Sequence, residues 1–275
     1  MSRSPLVGIY MPAWNVAKYI GETIKSIYAQ DLDDWEMVII DDASTDGTFE
    51  AAGEALEKCE DGRGRTFVAR NGDRTGLIGR LKNEAISLLD ECGFGPKYIC
   101  HVGADDTIPP DCLSSFVRFM EANPSLGAAC GTFEAFDDTG RRWMFPHVTR
   151  DKGFSSERLL RYMCMYPHRF YRRDAVRAVG GYSDELSSAV DYDLALKLDE
   201  KFEIGRLEGK ITYHYRQHPT QVSRKDRVEQ NLNAKRALQA AMDRRHGKGI
   251  MTVANDAPPF VIDESAPEHF IWGKQ

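Results

Sequence analysis

Asp105 and Asp106 stand side by side in HVGADDTIPPD, residues 101–111. Neighbouring carboxylates repel, so they persist where water solvates them or a cation neutralises them. Hard cations such as Mg²⁺ and Mn²⁺ take oxygen ligands and often bridge carboxylate to phosphate. Taken alone, the pair reads as a solvated turn ahead of the Pro109-Pro110 break. Its position says more. It follows a β-rich run, Tyr98 to Val102, and open α/β sheets bind ligands at the carboxyl ends of their strands. A second pair, Asp41-Asp42, follows the apolar run Trp35 to Ile40. Two further acids, Asp191 and Asp193, open an apolar-patterned stretch, where a helix dipole favours negative charge.

Elements of alternating type must position these groups. Leu6 to Met11 reads as a buried strand ended by Pro12, and Pro-Ala-Trp-Asn as a loop. Helical spacing over Tyr19 to Gln30 precedes the strand Trp35 to Ile40. Ser44 or Thr45 can cap a helix from Thr48 to Lys58. A strand at Thr66 to Ala69, a helix at Leu77 to Leu89 and the strand Tyr98 to Val102 complete the first half. The alternation predicts a mostly parallel central sheet covered by helices on both faces. Right-handed crossovers then bring Pro12 to Asn15, Asp41 to Asp46, and Asp105-Asp106 to one sheet edge. Three polar loops on one edge describe a nucleotide cleft. Neither GxGxxG nor GxxxxGK[ST] occurs, which argues against a dinucleotide fold and a P-loop.

The second half is less regular. The pattern predicts helices at Asp111 to Ala122 and Phe154 to Met163, a strand pair over Leu126 to Phe136, and a turn at Asp138 to Gly140. Helices from Asp174 and from Asp191, a strand from Lys210 to Tyr215 and a basic amphipathic helix from Val228 to Arg245 follow. The tail from Gly247 ends in Phe270-Ile271-Trp272 and is expected to pack loosely or dock through those aromatics.

A net charge of −6 gives no clear nucleic-acid footprint. No apolar run approaches the ~20 residues of an integral membrane span. MSRSPLVGIYMPAWN lacks the features of a signal peptide, and the six cysteines show no CxxC spacing. A reducing, cytoplasmic location is therefore expected.

Four segments together resemble the inverting glycosyltransferases of family 2. They are PLVGIYMPAWNVAKYIGETIKSI with VIIDDASTDGTFE, then HVGADDTIPPD, RFYRRDAVRAVGGYSDELSSAVDYDLALKL and YRQHPTQVS. The spelling AVDYDLALKL is closest to bacterial chondroitin and hyaluronan polymerase domains. The resemblance implies a GT-A fold in residues 1–225, with a nucleotide-binding half of about 1–110, an acceptor-binding half of about 111–225, and an appended helix and tail over 226–275. It implies a nucleotide-diphosphate sugar donor, UDP-linked, a hydroxyl acceptor and a divalent metal, Mn²⁺ or Mg²⁺.

By the same resemblance Pro12, Ala13, Asn15, Asp41, Asp42 and Ser44 hold the nucleoside, and Lys82 and Asn83 lie near the diphosphate. Asp105 meets the metal and the nucleotide, with Asp106 and His218 beside it. Asp191 is the general base, its pKa expected to rise on partial burial. His168, Arg169, Gly180, Gly181 and Asp193 fall on the acceptor and donor-sugar side. The chain departs from the family at Gly103, where an Asp is common, and at Val190, where many members have Glu. Two other readings use the same residues. A nucleotidyltransferase of related fold would need a Gly-rich, basic loop after the first strand, which PAWN is not. A degenerate, non-catalytic glycan- or nucleotide-binding domain would follow from Gly103 and Val190.

Overall fold

Period-two alternation builds the centre of the molecule. In β1 (Val7–Ala13), Val7, Ile9 and Met11 pack on one face and Tyr10 on the other. In β2 (Trp35–Asp41), Trp35, Met37 and Ile39 share the first face, while Val38 and Ile40 share the second. Strands apolar on both faces require cover on both. On the first face lie α1 (Ala17–Tyr28), α2 (Thr48–Cys59) and α4 (Cys112–Ala122). Their apolar spacing is read directly in Ile20, Ile24 and Ile27, all fully buried, each contributing roughly 1.5–3 kcal/mol. On the second face lie α3 (Ile78–Glu91), α7 (Val190–Asp199) and α8 (Arg227–His246). The last presents Ala234, Ala237, Leu238 and Ala241 to this core.

The computed structural model describes residues 5–59, 64–91, 95–145, 153–221 and 227–248, with the backbone of 261–262 and 271–272. The remaining strands are β3 (Thr66–Arg70), β4 (Tyr98–His101), β5 (Leu126–Asp137), β6 (Arg142–Trp143), β7 (Arg169–Arg172) and β8 (Glu203–Gln217). They order as β3-β2-β1-β4-β7-β5-β6, with β8 also on β5. The first four are parallel, β7 runs antiparallel between β4 and β5, and β8 is parallel to β5. The sheet is thus mixed rather than uniform. Two short helices, α5 (Ser156–Leu159) and α6 (Arg173–Ala178), complete this part. A separate ladder joins β9 (Val261–Ile262) to β10 (Ile271–Trp272). The docking expected of the tail otherwise lies outside the described residues.

Several boundaries differ from the sequence expectation for identifiable reasons. β1 continues through Pro12, which pairs in register with Ile40. β4 pairs with β1 only as far as Tyr10, so the missing N–H at Pro12 forfeits no ladder bond. The expected strand pair at 126–136 is a single long strand. Its hairpin partner is β6, across a turn in which Asp137 accepts from Thr139 and Arg141. The helix expected over Phe154 to Met163 is one turn, and β8 is far longer than Lys210 to Tyr215. β7, for which the sequence pattern gives no element, is the strand that joins the two halves.

Candidate active site

The parallel strands deliver their carboxyl ends to one edge, and the backbone there is held in unusual conformations. The described non-glycine residues with positive φ are Asn15, Ala43 and Ala189. They lie just after β1, just after β2 and just before α7. Asn tolerates the left-handed region, but Ala does so only when its surroundings compel it. Such strain collects at functional sites.

The first two loops lock each other. Asn15 Oδ1 accepts from Thr45 N–H at 2.9 Å, and Asn15 N–H donates to Ser44 Oγ at 2.9 Å. Ala13 carbonyl accepts from Asp42 N–H. The Asp42 carboxylate accepts from the Thr75 and Gly76 N–H groups and from Asn71 Nδ2. Asp42 is therefore committed to holding the 71–76 loop. Asp41 is different. Its Oδ2 faces Arg70 Nε at 3.3 Å, while its Oδ1 is buried with no hydrogen-bond partner. A buried carboxylate oxygen without a donor is costly unless a ligand supplies one. In the loops after β1 and β3, the Arg74 guanidinium stacks 3.5 Å from the centroid of the Trp14 ring.

At the end of β4, Asp105 and Asp106 point in different ways. Asp106 is 4% exposed. Its Oδ2 accepts from Tyr213 OH at 2.7 Å, and its Oδ1 from Arg216 N–H at 2.8 Å. Burial foremost, then the Asp105 charge, pushes the Asp106 carboxyl above the usual range. Expected beside the metal, Asp106 instead turns inward, because two donors of β8 claim both oxygens. Asp105 Oδ2 lies 3.0 Å from His218 Nε2, and His218 Nδ1 meets Thr220 Oγ1 at 2.9 Å. The Arg216 guanidinium donates to the Asp105 carbonyl, ion-pairs with Glu22 and lies over the Phe136 ring. Gly103 belongs to this arrangement. Its N–H donates to Tyr213 OH, and a Cβ there would meet Asp106 Oδ2 at 2.5 Å.

Donor atoms 3.0 Å apart match adjacent ligands of an octahedral ion with bonds of about 2.1 Å. Asp105 and His218 therefore fit a divalent cation as two ligands. Among the described residues no group of three or more His, Cys, Asp or Glu side chains could hold one, so further ligands would come from a phosphate or water.

The third centre is Asp191 in the first turn of α7. Its Oδ1 lies 2.8 Å from Lys82 Nζ, and its Oδ2 lies 3.2 Å from Arg169 Nη1. No side-chain hydrogen bond caps α7, so Asp191 is not a helix cap. Burial alone would raise its pKa, as expected from the sequence, but the charges of Lys82 and Arg169 outweigh it and hold the carboxyl well below the usual range. Lys82 is 3% exposed at its side chain, and burial draws its ammonium below the ordinary lysine value. Lys82, placed by expectation at the diphosphate, thus reaches the candidate base.

The other residues of this region divide. The Asn83 side-chain amide bridges Tyr182, accepting from its N–H and donating to its carbonyl at 2.9 Å each. Gly181 must lack a Cβ, which would fall 2.7 Å from Asn83 Oδ1, and it shares positive φ with Gly180. Asp193 pairs with Lys197 at 2.7 Å. His168, expected on the acceptor side, lies in the core at 1% exposure against Cys112, Phe116 and Tyr213. Burial foremost draws its imidazole down to about 3, so it stays neutral. His168 immediately precedes β7 and packs against Phe116, whereas Arg169 opens the strand toward Asp191.

Sequence reasoning missed Arg70, Tyr213 and Arg216. Arg70 ends β3, and the strand-end rule that found Asp41 could have found it. Tyr213 and Arg216 meet Asp106 only across the fold, and no local signal marks them.

The fold and this edge define a nucleotide-sugar transferase architecture. The structure superimposes on that of S. aureus TarS 1–349 in complex with UDP-GlcNAc with a TM-score of 0.70 at 19% identity, covering 86% of this chain and 66% of that one. It matches the mannosyltransferase PcManGT of Pyrobaculum calidifontis, in complex with GDP-Man and Mn²⁺, with a TM-score of 0.63 at 19% identity, covering 89% and 65%. These likenesses establish the GT-A fold. Residues 8–180 match the model of glycosyl transferase family 2, and the chain belongs to that family of glycosyltransferases. It is 30% identical to chondroitin synthase of Escherichia coli over 200 residues, 73% of this chain and 27% of that protein. It is 29% identical to hyaluronan synthase of Pasteurella multocida over 214 residues, 78% of this chain and 21% of that protein. The chain spans about a quarter of the length of these synthases. No helix among the described residues is long and apolar enough to cross a membrane.

Proposed function

We propose that this chain transfers a sugar, with inversion, from a UDP-linked donor to an acceptor hydroxyl, with Asp191 as general base. The observation that carries the reading is Asp191 itself: a carboxylate fixed by two cations from different elements, yet 30% exposed at its side chain. A structural ion pair has no need of that open face, whereas a base must reach its proton.

We assign the remaining roles on geometric support of the same kind. Asp41 Oδ1 is the acceptor that a uracil N–H would satisfy, and the Pro12, Ala13, Asn15 and Ser44 backbone shapes the slot beside it. Asp105 and His218 would hold Mn²⁺ or Mg²⁺, and such an ion neutralises a departing diphosphate. Asp106 supports them from behind through Tyr213 and Arg216. Gly180 and Gly181 let an acceptor approach beside Tyr182. As the acceptor oxygen attacks the anomeric carbon, its proton passes to Asp191 and the carbon–oxygen bond to phosphate breaks on the opposite face. We assign this catalytic unit to residues 1–225, with α8 buttressing α7 from the appended 226–275 segment, and we place the chain in the cytoplasm.

The test is a panel of UDP- and GDP-sugars incubated with the protein and Mn²⁺, with nucleotide release and anomeric configuration followed by NMR. UDP release with an inverted product supports the reading. Inorganic pyrophosphate from nucleoside triphosphates would support the nucleotidyltransferase instead.

A further inference from the structure

Asp191, Lys82 and Arg169 form a triangle of two cations and one anion, contributed by α7, α3 and β7. Its formal charge is +1. The cations are the deeper members: Lys82 is 3% and Arg169 14% exposed at their side chains, against 30% for Asp191. The groups facing Asp191 from the surrounding strands and loops do not alter that charge. They are Tyr10, His101, Tyr171 and Tyr182. Burial foremost, then the Lys82 charge, keeps His101 well below the ordinary histidine value and therefore neutral. Burial likewise pushes the three tyrosines up, so they stay protonated. Lys82 also sits 4.9 Å from the centroid of the Tyr182 ring, whose hydroxyl meets that of Tyr10 at 2.6 Å. Nothing among these groups can take up a second positive charge.

That creates a difficulty for a base. If Asp191 accepts a proton, the triangle becomes +2 in a buried setting, which burial strongly disfavours. A neighbouring anion removes the difficulty. His101 faces the triangle from β4, the strand whose chain continues to the candidate metal ligand Asp105. We propose that Lys82 and Arg169 are positioning residues that keep Asp191 ionised and unable to accept a proton until the diphosphate of the donor stands beside them. This rests on the proposed donor site. As the acceptor oxygen bonds to the anomeric carbon, the electron pair of the breaking carbon–oxygen bond goes to the diphosphate. The negative charge gained there offsets the one Asp191 loses with the acceptor proton. Proton abstraction is thereby tied to departure of the leaving group, and a bound acceptor is not deprotonated without a donor.

Two measurements test this. By calorimetry with Mn²⁺, Asp191→Asn leaves both cations uncompensated, so UDP should bind about tenfold more tightly than to the wild type, while uridine should bind unchanged. By NMR with ¹³C-carboxyl aspartate, with the resonance assigned by its loss in Asp191→Asn, Asp191 of the free protein should titrate below the ordinary aspartate range. Its titration should move up by at least about one pH unit in Lys82→Met, and also on adding UDP to the wild type. A merely structural Lys82 would leave that titration in place. If UDP and uridine both bind and neither the Asp191→Asn affinity nor the Asp191 titration moves, the inference is overturned and the donor site stands. If neither ligand binds the wild type, the donor site falls and the coupling with it.

Discussion

Gly103→Asp sets the family resemblance against the structure. It restores the acid that the family resemblance expects before the Asp pair, so by spelling alone it should strengthen metal and donor binding. The structure predicts the opposite. A Cβ at 103 would stand 2.5 Å from Asp106 Oδ2, 3.1 Å from Tyr213 OH and 3.2 Å from Asp105 Oδ1. Atoms that close must move, and overpacking of this kind costs about 1–3 kcal/mol. The carboxylate adds repulsion toward Asp105 and Asp106 of about 1–4 kcal/mol, between the limits of water and a partly screened surface. It would also press on the Tyr213 hydroxyl, which both accepts from Gly103 N–H and donates to Asp106. A total near 3–5 kcal/mol lowers the melting midpoint by roughly 10 °C. Urea unfolding monitored by fluorescence measures the free energy, and Gly103→Ala separates the steric part from the charge. Calorimetry with UDP and Mn²⁺ should show weaker binding. A Gly103→Asp protein as stable as the wild type, with equal or tighter UDP binding, would refute the reasoning.

Other consequences are more direct. Asp191→Asn should lower the rate of sugar transfer by about 10²–10⁴-fold while the fold, read by circular dichroism, is kept. His218→Ala should reduce the Mn²⁺-dependent part of UDP affinity by about tenfold or more and leave metal-free binding unchanged; equal losses in both would remove His218 from the metal. Glu36 supplies a pH signature. Burial foremost, opposed by the Arg65 charge, raises its carboxyl to about 6, and its Oε2 is buried without a hydrogen-bond partner. A raised folded pKa contributes stability below the unfolded value near 4.5 and loses it as pH rises through about 6. Glu36→Gln should therefore match the wild type at pH 4 and exceed it by about 1 kcal/mol at pH 8, after discount for partial exposure. Denaturant titrations at the two pH values check this, and a constant difference would contradict it.

Much of the parallel half was legible because local signals agree with the fold there. The runs Leu6 to Met11 and, Glu36 apart, Trp35 to Ile40 carry apolar side chains on both faces, as strands covered on both sides must. Helical spacing then marked α1 and α3, capping residues marked α2, and the strand-end rule assembled the edge from Asn15, Asp41 and Asp105. The antiparallel half was less legible. β7 is only Arg169–Arg172, with arginines at both ends, and its place between β4 and β5 is set by long-range pairing. β8 is bulged along β5, which breaks the alternation a strand pattern relies on. The site shows the same division. That Asp105 and Asp191 lie at the edge follows from their positions after β4 and at the start of α7. That Lys82 meets Asp191 and Tyr213 meets Asp106 depends on contacts 109 and 107 positions apart in the chain. No window of sequence carries them.

The central claim is that this edge binds a nucleoside diphosphate through Asp41 and through a metal held by Asp105. The direct measurement is calorimetric titration of UDP, with and without Mn²⁺, into the wild type, Asp105→Asn and Asp41→Asn. The account predicts metal-enhanced binding to the wild type, loss of the enhancement in Asp105→Asn, and weakened binding with or without metal in Asp41→Asn. Binding that ignores the metal and survives both substitutions would contradict it.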